Sequence, residues 1–384
     1  MKSISPLDAM DVTNDPKPPY ALRPVEGVSF FLLGDQSAIF SESSQKIYAL
    51  NQIAAYIWCQ LEEGEAVDAI RDGLVKAGVN ADLAGMYVSQ AIRMWHKLGL
   101  LKPHWQFDDD PIHFARSFNI HIAGFSATIR VATEPLAKLL TLFDHQIVLA
   151  PDGRDVIDVI EANKFVQVFH NKRGVFCCDP VELAPTLKAY ITEQVVVASP
   201  PNVLVHAACL HRNGKSLLIS GRPGAGKTTL SMRLGEAGFE YGGDDIVLVA
   251  PDGTATGVPF APAIKPGAWQ IVGQFRPDLN EAVVHRRPDG KRVRYVLPER
   301  ITRARGSVVG WILFIRRGDG PATFTQLDRI EVMRRLMEGA YSPGEKMTLP
   351  MCNALKHAIN GADCFELSYA DSADACDAIV RFCK

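Results

Sequence analysis

The chain has 384 residues, 47% hydrophobic and 22% charged, a make-up that suits a globular protein of two or three domains. Its net charge of −2 argues against bulk binding to nucleic acid or to an anionic membrane surface. Eight cysteines lack CxxC or metal-ligand spacing, no secretory h-region opens the chain, and no apolar run could span a bilayer, so a reduced, cytoplasmic protein is expected.

Residues 1–24 are polar and proline-rich and read as a disordered arm. In 25–102, "VSFFLLGDQSAIFS" and "KIYALN" read as short strands, with turns at Gly34-Asp35 and Ser41-Glu42-Ser43-Ser44. Asn51 is placed to cap a helix whose Ile53, Ile57, Trp58 and Leu61 share one face. "AVDAIRDGLVKAG" is a second helix ended by Gly78. "ADLAGMYVSQAIRMWHKLGLL" is a third, with Tyr87, Ala91, Met94 and Leu98 at helical spacing. Strands followed by three helices in so short a stretch predict a small winged-helix recognition domain. Residues 103–114, with Pro103, Pro111 and three consecutive aspartates, read as a linker.

Over 115–384 strands and helices alternate without a regular βαβ series, which predicts an α/β domain with much antiparallel character. Turns are expected at Pro151-Asp152-Gly153 and around 171–174, and "PVELAPTLKAYITEQVVVAS" reads as a helix. "LVHAACLHRNGKSLLISG" reads as a hairpin whose second strand feeds "GRPGAGKTT".

That last stretch satisfies GxxxxGK[ST] in a strand-to-helix context. Gly221, Gly224, Ala225 and Gly226 can turn backbone N–H groups toward phosphates, and Lys227, Thr228 and Thr229 open a helix whose N-terminus favours anions. Lys227 is placed to reach the β/γ-phosphates and Thr228 to hold Mg²⁺. "YGGDDIVLV" follows just past the loop's own helix, with Asp244-Asp245 expected to precede a strand. Two such carboxylates beside a triphosphate can divide the work, one holding metal and one accepting a proton. The bland alternative is a solvated acidic turn. His206 is expected to begin the strand that neighbours the loop in sequence.

With His206, the glycine loop and the Asp pair in this order, 115–384 resembles the HPr kinase family, whose catalytic domain is related to phosphoenolpyruvate carboxykinase. "VHAACLHRNGKSLLISGRPGAGKTTL" followed by "GGDDIVLV" is most like the HPr-kinase-related proteins of peptide-modification systems. "AIKPGAW" resembles the family's Val-Arg-Pro-Gly segment, with Lys265-Pro266-Gly267 in register. The likeness is close over about 200–270 and only general elsewhere. It implies a P-loop kinase domain that uses ATP and Mg²⁺, with Asp244 as catalytic base and Asp245 and Thr228 on the metal. It also implies His206 near the γ-phosphate and Lys265 neutralising the transferred phosphoryl group. The chain lacks the family's Glu-containing signature after the Asp pair, which puts one metal ligand in question, and has Ala268-Trp269 where the family has Arg-Asn. Both departures argue against HPr as substrate. Members of the family assemble into oligomers, so a homo-oligomer is a candidate state.

Residues 25–102 resemble the PqqD family of leader-peptide recognition domains through "YALNQIAAYIWCQLEEGEAVDAIRDGL". The resemblance implies that a precursor's leader adds as a strand to the sheet edge, its apolar side chains lying in a groove against the third helix. Ile39 to Leu50 and Tyr87, Ile92 and Trp95 are the corresponding positions, although Leu50, Ile57, Trp58 and Leu61 equally suit a core.

Together these resemblances imply an ATP-dependent kinase acting on a Ser or Thr hydroxyl of a ribosomally made precursor peptide, with neither nucleic acid nor membrane as partner. The residues leave open a nucleotide-dependent regulatory ATPase, and a kinase acting on a protein or a small acid. "HRRPDGKRVR" at 285–294 reads either as a solvated hairpin or as a substrate loop whose arginines meet phosphate.

Overall fold

The computed structural model describes residues 20–105, 112–149, 155–162, 164–199, 202–302, 306–341 and 347–384. The turn expected at 151–153, most of the arm and half of the linker lie outside these residues. The chain divides into two compact units, each mixed α/β. The first runs to His113 and takes in Gln167–Cys177; the second comprises Phe114–Val166 and Cys178–Lys384.

In the first unit the end of the expected arm is a strand. Tyr20–Pro24 pairs antiparallel with Leu101–Trp105, so the unit's two ends are stitched together. The later segment belongs here because Gly174 meets the Pro103 backbone and Phe169 packs edge-on against Trp105. Val28–Leu33, Gln36–Ser41 and Lys46–Leu50 form an antiparallel sheet with the second strand central. The Asn51 side chain accepts from the Ala54 N–H at 2.8 Å, which starts helix Gln52–Glu63. Helices Val67–Lys76 and Ala81–Lys97 follow. Ile39, Ile57, Trp58, Leu61, Ile70, Ile92 and Trp95 form the core, with Trp58 and Trp95 edge to face at 5.0 Å. The third helix buries Ala84, Val88, Ala91, Ile92 and Trp95, so the stripe predicted on Met94 and Leu98 faces solvent instead.

The second unit is built around a six-stranded sheet in the order Glu240–Gly243, Ala208–Arg212, Lys215–Ser220, Val308–Arg317, Asp363–Tyr369, Thr323–Gln326. Its three middle strands run parallel and the outer pairings are antiparallel. The alternating pattern of the strands sends side chains to two cores. Leu217, Ile219, Leu313 and Ile315 pack with helices Lys227–Glu236 and Ser372–Phe382. Leu218, Ile312 and Phe314 pack on the other face, with helices Arg329–Glu338 and Leu349–Asn360. That second face is also covered by a four-stranded antiparallel sheet: Ala255–Gly257, Val247–Val249, Val203–Val205 and Ala340–Tyr341.

Two neighbouring strands change sheets at the same level. Val203–Val205 lies in the four-stranded sheet, and after His206 and Ala207 the chain continues as Ala208–Arg212 in the six-stranded one. Glu240–Gly243 lies in the six-stranded sheet, and after Asp244, Asp245 and Ile246 the chain continues as Val247–Val249 in the four-stranded one. The registers Val205 with Val247 and Cys209 with Gly243 set the two crossings side by side. His206 thus occupies a joint and does not begin a strand, and the Asp pair follows one strand as well as preceding another.

Candidate active site

The loop at 221–226 leaves strand Lys215–Ser220 and enters helix Lys227–Glu236. Gly226 stands at the helix start with φ +100°, and a Cβ there would lie 2.7 Å from the Tyr369 hydroxyl oxygen and 2.9 Å from an Arg317 nitrogen. Only glycine fits so close an approach at that dihedral. The Tyr369 hydroxyl donates to the Ala225 carbonyl at 2.7 Å, and Lys227 Nζ donates to the Gly221 carbonyl at 2.8 Å, so the loop is closed from both sides. Lys227 and Thr229 are buried, while Gly224 stands exposed at the loop's tip. Burial pushes the Lys227 ammonium below its ordinary range; Asp245 and Asp244 oppose this and Lys265 adds to it. The loop lysine, both aspartates and Lys265 therefore share one electrostatic neighbourhood.

The two aspartates differ in environment. Asp244 is 8% exposed and accepts from the Tyr241 hydroxyl at 3.2 Å and from the Thr228 hydroxyl. Burial raises its carboxyl above the usual range, Lys188 opposes, and the neighbouring Asp245 adds to the rise. The Asp245 side chain is 56% exposed. The hydrogen bond from His206 holds its carboxyl well below the usual range, helped by Lys188 and Lys227. His206 Nδ1 lies 2.9 Å from the Asp245 carbonyl oxygen and 3.3 Å from Oδ1. Both are acceptors, so Nδ1 carries the proton. His206 also lines a cleft of about 900 Å³ that runs past the glycine loop to Arg316, Arg317 and Arg335.

No known family matches this chain, and no curated protein does. A solved structure, TbiB1 in complex with the TbiA(beta) leader peptide, aligns with 23% of this chain and 99% of its own. The identity is 18% and the TM-score 0.20, below the level at which a shared fold follows.

Among the described residues no group of three His, Cys, Asp or Glu side chains is placed to hold a metal. A magnesium ion bound with nucleotide needs only one or two protein oxygens, because phosphates and water supply the rest. The exposed Asp245 carboxylate and the Thr228 hydroxyl, hard oxygen donors beside the loop, fit that requirement.

Lys265 is exposed and precedes helix Pro266–Gly273, whose Trp269 Nε1 donates to the Ile264 carbonyl at 2.8 Å. The basic stretch at 285–294 is a hairpin largely engaged in its own fold. Arg286 pairs with Asp179 and Glu182, and the Arg292 and Arg294 guanidinium groups lie 5.8 and 4.5 Å from the Trp269 ring centroid. Arg287 and Lys291 both meet Asp289 at its turn. Lys188 and Tyr241 were not among the residues marked by sequence. Tyr241 opens the "YGGDDIVLV" stretch but was given no role there, and Lys188 lies in no motif; the folded chain sets both at the Asp pair.

In the first unit, Ile39, Ile92 and Trp95 are core residues, which removes them as peptide contacts, and Tyr87 is only partly exposed. The exposed apolar side chains near the sheet edges and the third helix are instead Leu32, Leu33, Ile47, Leu83, Met86 and Met94. No helix among the described residues is long and apolar enough to cross a membrane.

Proposed function

We propose that this chain is a phosphotransferase that moves the γ-phosphoryl group of ATP to a Ser or Thr hydroxyl of a precursor peptide. On this reading the second unit has an HPr kinase-like P-loop fold, and 25–102 is a PqqD-like winged-helix domain. The observation that carries the proposal is the meeting of a buried and an exposed carboxylate, Asp244 and Asp245, with Lys227 and Thr228 at the start of the loop helix.

Each side chain then has one task. The loop N–H groups and Lys227, released from the Gly221 carbonyl, bind the phosphates. Asp245 and Thr228 would hold Mg²⁺, which would supply charge to neutralise the phosphates. His206 fixes the Asp245 carboxylate, and Lys265 balances charge on the open side. Asp244 accepts the hydroxyl proton; the raised basicity of a buried carboxylate suits that role. The acceptor oxygen bonds to phosphorus as the bond to the β-phosphate oxygen breaks, and ADP leaves with the electron pair. The edge of Val28–Leu33, unpaired among the described residues and with Leu32 and Leu33 exposed, would take the leader as an added strand. Tethering of this kind raises the local concentration of the core peptide to roughly mM, so the transfer site need not bind it tightly.

The test is incubation of the full chain with MgATP and the peptide encoded by a short reading frame beside its gene. A phosphoryl-sized mass gain on the peptide, with matching ADP and loss of both in Lys227→Ala, is expected. ADP formation without any gain in peptide mass would favour a regulatory ATPase and overturn the transfer.

A further inference from the structure

Lys188 lies in helix Leu183–Val197, outside every motif of the site, and is 8% exposed. A buried ammonium ordinarily has a carboxylate or carbonyl to receive its hydrogens. Among the described residues Lys188 makes no hydrogen bond and no ion pair through its ammonium. It lies instead between two rings, with Nζ 5.6 Å from the Phe260 centroid and 5.9 Å from that of Tyr295. Aromatic faces favour a cation but accept none of its N–H groups as a carbonyl would, and those donors keep a path to water.

The same residues connect this lysine to the carboxylate pair. The Phe260 carbonyl accepts from the Tyr241 hydroxyl at 2.9 Å, and that hydroxyl reaches Asp244 at 3.2 Å. Lys227 donates to the Gly221 carbonyl of the loop, whereas Lys188 reaches the pair by way of Phe260 and Tyr241. The two lysines therefore approach the Asp pair from different elements, Lys227 from the glycine loop and Lys188 by way of the residues that hold Asp244, the proposed base.

We propose that Lys188 is a second phosphate-contacting lysine, whose ammonium meets the phosphoryl group on its acceptor side during transfer. The proposal rests on the phosphotransferase reading and adds to it a residue and a stage. In the step itself the acceptor oxygen–phosphorus bond forms while the bond to the β-phosphate oxygen breaks. ADP keeps the electron pair, Asp244 takes the hydroxyl proton, and Lys188 exchanges no atom. Its task is to match the charge on the equatorial oxygens while the group is between its two partners.

The experiment compares binding of MgADP with binding of MgADP plus tetrafluoroaluminate, a planar anion that mimics the phosphoryl group in transit. It uses the full chain and Lys188→Met, which keeps the stem between the two rings. MgADP affinity should stay within about twofold of the parent, while affinity for the fluoroaluminate complex should fall by about ten- to a hundredfold. Lys188→Arg should recover part of the loss, and Lys227→Ala should weaken both ligands. Equal affinities for the parent and Lys188→Met, or an equal loss for both ligands, overturns the proposal alone. A parent that binds no MgADP overturns the phosphotransferase reading as well. Lys188→Gln provides the same comparison if the methionine variant does not accumulate.

Discussion

Adjacent aspartates in opposite environments should respond in opposite directions to the same isosteric change. Asp244 is buried, and burial, with Asp245 beside it, raises its carboxyl against the pull of Lys188. Its ionised form therefore costs the folded state free energy at neutral pH. Asp244→Asn keeps an acceptor for the Tyr241 and Thr228 hydroxyls and removes that cost. Asp245 is held below the ordinary range, foremost by His206, so its charge stabilises the fold. The side chain is 56% exposed and solvent screens it, so the contribution is on the order of 1 kcal/mol. That is about 2–4 °C in the midpoint of a unit of this size. A depressed carboxyl contributes above its unfolded pKa, near about 4, and loses the contribution as pH falls through the folded value; a raised one carries its penalty at neutral pH and sheds it on acidification. At pH 7, without ligand, Asp245→Asn should therefore melt lower than the parent and Asp244→Asn at the parent's midpoint or above. The gap should narrow toward acid pH. In turnover the order inverts: Asp244→Asn should bind MgATP nearly as the parent does and lose on the order of 10²–10⁴ in rate, while Asp245→Asn weakens MgATP binding as well. Calorimetric melting, calorimetric MgATP titration and phosphopeptide yield by mass spectrometry read these effects. An Asp244→Asn variant as destabilised as Asp245→Asn would refute the electrostatic argument, and parent turnover in both would refute the catalytic one.

Gly243 has φ +144°, and a Cβ there would lie 2.5 Å from the Val258 carbonyl oxygen, so Gly243→Ala should cost about 1–3 kcal/mol and weaken MgATP binding through the displaced Asp pair. A melt and titration matching the parent would contradict this. Burial holds His285 down to about 4, and its Nδ1 has no partner among the described residues, so the folded unit keeps the ring neutral while the unfolded chain protonates it below about 6.5. Stability should fall as pH drops from about 6.5 to about 4, at up to ~1.4 kcal/mol per unit from this group, and His285→Phe should flatten that part of the melting profile. Leu32→Lys with Ile47→Lys should leave the first unit's melting unchanged and weaken precursor-peptide binding in a fluorescence titration; unchanged binding would remove this sheet as the leader's seat.

The strand-to-helix setting of the glycine loop was legible because its signals are local: glycine spacing, the lysine and the helix start all lie within one short stretch. The third helix of the first unit was misread because two apolar stripes compete along it. Ala84, Val88 and Ile92 are centred about 100° around the helix from Tyr87, Met94 and Leu98, and the packing partner, Trp58 against Trp95, decides between them. Lys188 gave no signal at all. A single lysine in "LAPTLKAYITEQVVV" reads as a side chain reaching for solvent, and its burial against Phe260 and Tyr295 comes from residues far along the chain. The basic hairpin was ambiguous for the same reason: the acids that hold Arg286 precede it by about a hundred residues.

The crossings between sheets explain why the site lies where it does. A strand that continues in one sheet has its backbone groups paired and its side chains committed to two cores. At a crossing the chain leaves one ladder before joining the next; the His206 N–H still bonds the Gly339 carbonyl and the Ile246 carbonyl accepts from Val258, but the side chains of His206 and the Asp pair belong to neither apolar core. His206 and the Asp pair occupy two such crossings set side by side, and the bond from His206 to Asp245 joins them across the gap. The sequence carries a trace of this in Gly242-Gly243 ahead of the Asp pair. Added Cβ atoms would lie 2.9 Å from a His211 nitrogen at Gly242 and 2.5 Å from the Val258 carbonyl oxygen at Gly243. Larger residues would hold the two sheets apart there, and Asp244 would lose the enclosure that separates its chemistry from that of Asp245.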